Sequence, residues 1–134
     1  MSEQFEMLVW RANEVDTNGD LLTSAALLSM ADVLVTGKDI TIDLSFANSV
    51  GKIVQAWVRN QELWVTAVFT DCDIIEAIRE KKMCLRPGFS IESSSRNENG
   101  VRVIDKVGKA DVGLMTTVSW PLPSTLPSSL VTSQ

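Results

Sequence analysis

The sequence predicts a mainly β domain with inserted helices (α+β): a closed or barrel-like antiparallel sheet of about seven strands, flanked by two helices. Three observations carry that expectation. Short runs rich in Val, Ile, Thr, Phe and Trp recur along the chain, separated by clusters of Asn, Asp and Gly. Only two segments have helical spacing of apolar residues, and each begins behind a capping side chain. At 134 residues and 14.7 kDa, with 45% hydrophobic and 22% charged residues, the chain is long enough for one hydrophobic core. The expected organisation is a single β domain over residues 1–120 and an extended arm over 121–134.

The elements follow in order. Phe5–Arg11 is a mostly apolar first strand, running into the turn formers of Glu14–Asp20. Thr23 or Ser24 caps a helix from Ala25 to about Leu34, with Leu27, Leu28, Ala31 and Leu34 spaced for one buried face. Gly37 is placed to close it as the C′ residue. Asp39–Ser45 alternates, with Ile40, Ile42 and Leu44 on one face. Val50–Val58 and Leu63–Thr70 form a hairpin across Arg59–Glu62. Asp71 caps a helix over Cys72–Lys82, whose stripe is Ile74, Ile75 and Ile78 and whose charges suit the helix dipole. Leu85–Ser95, the turn Arg96–Gly100 and Val101–Val107 form a second hairpin, and Asp111–Trp120 is the last strand. From Pro121 the composition shifts to Pro, Ser and Thr, which cannot continue a sheet.

Composition excludes several functions. A net charge of −5, a pI near 4.6 and scattered Lys and Arg argue against nucleic-acid binding. No apolar run approaches the roughly 20 residues needed to cross a bilayer, so no membrane partner is expected. Cys72 and Cys84 are read as reduced, core-filling thiols in a cytosolic setting. With no histidine in the chain they make half a zinc site at best. Asp16-Thr-Asn-Gly-Asp20 begins like a calcium loop, but Leu21 and Leu27 stand where the turn glycine and the bidentate glutamate belong. No metal and no cofactor are expected.

Ser90, after Pro87-Gly88, sits where neighbouring amides can form an oxyanion hole, although a serine on a strand is commonly a solvent-facing residue. Trp10, Trp57 and Trp64 are assigned to the core, and Trp120, beside the arm, to a partner surface. Leu122, Leu126 and Leu130 are apolar residues in an otherwise polar arm. They are expected to pack on another subunit or on a larger assembly, with the working protein a homo-oligomer.

Taken in order, these pieces resemble the tailed-phage prohead (capsid maturation) proteases, whose fold is similar to herpesvirus assemblin. Asp16–Asp20 with Ser24-Ala25-Ala26 resembles the family's D-x-x-G-D turn and helix start, and Val50-Gly51 resembles its Ile/Val-Gly pair. Ile78–Ile91 resembles the helix and "G.SIGF"-like strand, with Ser90 in the nucleophile position, and Asp111–Pro121 resembles the last block. The similarity spans residues 5–123 and lies in order and spacing. Two departures stand out: Ser45, Phe46 and Ala47 fill the histidine window, and Glu92 replaces a small residue.

The resemblance implies a virion protein assembled in the host bacterial cytoplasm. Without an imidazole a serine hydroxyl is a poor nucleophile at neutral pH. The leading expectation is therefore a structural protein on an inactivated protease fold, bound to capsid or other virion proteins. The alternative is an active maturation protease, with Ser90 as nucleophile and Lys52 as a desolvated base. A histidine replaced at Ala47 would give the same sequence. A third reading is a non-viral adaptor sharing the pattern.

Overall fold

The computed structural model describes residues 2–34, 37–42 and 49–116, and the backbone of 131–133. In chain order the elements are β1 (Glu3–Arg11), β2 (Asp20–Leu22), α1 (Ser24–Val33), β3 (Asp39–Ile42), β4 (Ser49–Arg59) and β5 (Glu62–Phe69). They continue with α2 (Cys72–Arg79), β6 (Met83–Arg96), β7 (Arg102–Thr116) and β8 (Val131–Ser133). All strands belong to one sheet, ordered β2-β7-β3-β4-β5-β1-β8, with β6 on the other edge of β7. The α+β, mostly β expectation holds, with two corrections. The sheet is mixed, because β2 and β3 both run parallel to β7. It also curls into a half-barrel that does not close. β1 comes back against β6 with no ladder between them, and α2 touches both β6 and β8, the strands bordering the gap.

Local chemistry explains most element ends. The β4–β5 hairpin turns through Asn60 and Gln61, both at positive φ, so Arg59 pairs with Glu62 as the sequence indicates. Thr23 caps α1 by accepting from the Ala26 amide at 3.2 Å. Asp71 caps α2 by accepting from the Asp73 and Ile74 amides. Asp16 Oδ1 accepts from the Asn18 and Asp20 amides, which makes 16–20 a side-chain-pinned turn. That turn leads into β2, a strand the sequence reading missed because three residues carry no period.

Other boundaries move. α2 stops at Arg79, three residues early, where Lys81 takes a positive φ and its amide bonds back to the Ile78 carbonyl. Gly37 is not the C′ residue of α1. The helix ends at Val33 with Leu34 as its cap, while the Gly37 amide donates to Ile53 in β4. Leu28 is 55% exposed, so the buried face of α1 is Ala26, Leu27 and Met30. Ile42, at the end of β3, is also largely exposed, whereas Ile40 is buried. Trp10 and Trp64 are buried and Trp57 is half-buried opposite Trp64; Trp120 and residues 121–130 lie outside the described residues. The strands expected over 101–107 and 111–120 are one strand, β7, up to Thr116; residues 117–120 lie outside the described residues. The tail is not wholly barred from the sheet, since Val131–Ser133 pairs with Phe5–Met7.

The core runs through both helices and most strands, from Phe5, Met7 and Leu27 to Phe69, Leu85 and Leu114. Phe5 and Phe69 meet as tilted rings with centroids 6.3 Å apart. Gly51 is demanded by this packing. A Cβ there would lie 2.7 Å from the Phe69 ring and 2.8 Å from the Val68 carbonyl oxygen. Since one of those neighbours is backbone, Gly51→Ala should cost about 1–3 kcal/mol, as overpacking does. Urea unfolding measures this, and an unchanged midpoint would show that the ring has room to move.

Candidate functional site

Ser90 sits on β6 opposite an irregularity of β7. The ladder steps from Phe89–Ala110 to Ile91–Val107, so Gly108 and Lys109 bulge past Ser90. The serine is exposed, and its Oγ accepts a hydrogen bond from the Lys109 amide at 2.8 Å. Gly108 makes this approach feasible, for a Cβ there would stand 2.9 Å from Ser90 Oγ. The amide beside the hydroxyl thus comes from across the ladder, from Lys109, and it is spent on the serine itself. Nothing in the sequence placed Gly108 beside Ser90, because a bulge leaves no periodic trace.

Lys52 lies on β4, and its Nζ donates to Asp39 Oδ1 at 2.9 Å. Ser49 Oγ donates to the same oxygen at 2.9 Å. These contacts, the Lys52 hydrogen bond foremost, hold the Asp39 carboxyl below its ordinary value. Both partners are more than half exposed, so Lys52 is not the desolvated amine that a serine–lysine dyad requires.

The sheet keeps the two candidates apart. Gly51, Ile40, Val112 and Pro87 form one row across β4, β3, β7 and β6. Three strand spacings separate its ends, about 14 Å along the sheet. Lys52 is next to Gly51 and Ser90 is further along β6, beyond a lysine's reach. The histidine window 45–47 lies outside the described residues. Ile42 shares a row with Leu85, and Ser49, through Thr41 and Gly113, with Arg86. Ser90 is four to five residues further up β6, about 14–17 Å.

Between these positions lies a polar cleft of about 330 Å³ lined by Gly37, Lys38, Asp39, Thr41 and Asp111. Lys38 bridges to Asp111 at 3.1 Å. Beside it, Val50, Lys52, Val54, Val68, Asp71 and Ile74 help to line a larger, mainly apolar groove of about 620 Å³. Among the described residues no group of three or more Cys, Asp or Glu is arranged to hold a metal ion. No family model matches the sequence, and no curated protein or solved structure matches it.

The two thiols differ, correcting the expectation that both fill the core. Cys84 is buried on β6 opposite Met115. Cys72 is exposed in the first turn of α2, off the Ile75–Ile78 face that packs inward. Burial pushes the Cys84 thiol up to about 12. Its neutral form stabilises the fold fully below the ordinary thiol range, and that contribution is lost as pH rises from 9.0 toward 12. A thiol reagent near neutral pH should modify one cysteine in the native protein and two after denaturation. Rapid native labelling of both would contradict the buried placement. In Lys52→Met, the Asp39 carboxyl should titrate closer to its ordinary value by NMR. An unmoved titration would mean that the ion pair is not populated in solution.

Proposed function

We propose that the chain is a phage virion structural protein: a prohead-protease-like scaffold that has lost catalysis and is held in the particle by protein contacts. The observation that carries this reading is the separation of Ser90 from Lys52, the base that a serine–lysine dyad would use. The chain contains no histidine, Lys52 is paired with Asp39 three strands away, and the Ser90 hydroxyl is tied to the Lys109 amide. Nucleophilic catalysis needs a base within hydrogen-bond reach of the hydroxyl, and none of these contacts supplies one. The active-protease alternative has no such support.

In this reading the protein serves a decoration, cement or assembly role. Its partners are capsid or other virion proteins and further copies of itself. Trp120, Leu122, Leu126 and Leu130 are the side chains proposed to meet them, as apolar residues in an otherwise polar segment.

Incubation with the capsid and scaffold proteins of the same phage tests the reading. No cleavage should occur, and Ser90→Ala should behave as the parent does. A fluorophosphonate should leave Ser90 unlabelled from neutral to alkaline pH. Cleavage that disappears in Ser90→Ala would overturn the structural assignment.

A further inference from the structure

β6 is an edge strand. Among the described strands it hydrogen-bonds to β7 alone, which leaves its outer row of backbone groups without a ladder partner. Every residue from Ser90 to Gly100 is exposed, including Ile91. The only proline of β6 is Pro87, so the upper half has all its amide donors. Such an edge is a template for another strand unless side chains or bulges prevent it, and β6 shifts register against β7 between Ile91 and Ser93 and between Ser93 and Ser94.

The side chains here have a specific arrangement. From Ile91 to Arg96 the sequence is Ile-Glu-Ser-Ser-Ser-Arg, with Glu92 and Arg96 as its only charges, each two residues from Ser94. Antiparallel pairing with a second copy about Ser94 sets Glu92 of each chain opposite Arg96 of the other. It also sets Ser93 opposite Ser95, small residues that let the backbones approach. A register centred on Glu92 or on Arg96 instead opposes like charges, and within Ile91–Arg96 only the one about Ser94 sets opposite charges against each other. Against an unrelated apolar strand the same two charges would be desolvated and unmatched, which discourages it. The present contacts are weak competitors: Lys106 reaches Glu92 at 3.7 Å, and Arg96 donates to the Gly100 carbonyl at 2.9 Å.

We infer that the upper edge of β6, Ile91–Asn97, is a self-association surface, on which two copies of this chain pair antiparallel about a two-fold axis at Ser94. The interface is isologous, so each charge pair occurs twice. This goes beyond the virion reading and does not depend on it, because the purified chain alone should show it.

Sedimentation of the full chain over a range of concentrations should reveal a reversible dimer weakened by salt. Glu92→Arg and Arg96→Glu each put like charges opposite one another at both ends of the pairing. Each should therefore raise the dimer Kd about tenfold or more. Combining them restores the opposition in reverse and should recover the dimer. That recovery also excludes misfolding as the cause of the single-variant loss. A parent chain that stays monomeric into the hundred-micromolar range would overturn the inference. So would a dimer that ignores the single reversals, or one that the double reversal fails to restore.

Discussion

β7 is hydrogen-bonded along both edges, and the placement of the other elements follows from how it divides them. One edge carries β6 from Met83 to Arg96. The other is shared: Arg102–Ile104 takes β2 in parallel, and Val112–Leu114 takes β3 in parallel. α1 packs on β7 as well, and the Val107 amide donates to Ser29 Oγ on that helix at 3.1 Å. At its start, Arg102 grips both carboxylate oxygens of Asp20 at 2.8 Å. That fork holds the Arg102 guanidinium proton more tightly than usual, chiefly through the hydrogen bond to Asp20. One strand thus fixes the sheet order, the seat of the helix and the bulge that holds Ser90.

What could be read from the sequence was what repeats locally. The cap at Asp71, the β4 and β5 strand runs, and the Asn60-Gln61 turn are short-range features, and all three stand where the residues placed them. What could not be read was pairing. Nothing in Asp20–Leu22 or Asp39–Ile42 says that its partner lies some seventy or eighty residues away, and parallel pairing leaves no hairpin signal. β7 was split in two because Gly108 and Lys109 interrupt its alternation, as a bulge does. The expected barrel closure failed for a related reason: order along the chain does not show whether the first and last edges meet.

The candidate site divides along the same line. Ser90 and Lys52 were identifiable by residue type, and their exposure fits the commonplace reading of a polar residue on a strand. Their separation was not legible, because it depends on β3 and β7 lying between β4 and β6. Gly51 was singled out only as half of a resemblance, yet its physical role is to leave room for the Phe69 ring. Cys72 was misjudged because a thiol in a short helix falls on either face with nearly equal ease, and the Ile75–Ile78 stripe decides which.

The two parallel pairings also bear on how the chain comes into being. A ribosome delivers β2 and β3 long before β7, to which both must pair. Until then the β4–β5 hairpin, with β1 antiparallel to β5 and β3 antiparallel to β4, is the part of the sheet able to form from its own neighbours. Asp20 waits 82 positions for Arg102, and the Thr23 amide waits for the Ile104 carbonyl. Sheets completed so late gather slowly, and their unfinished edges are open to other chains in the meantime. A nascent copy should therefore need protection until residue 116 has left the exit tunnel, and a truncation ending before β7 should aggregate rather than yield a smaller soluble domain.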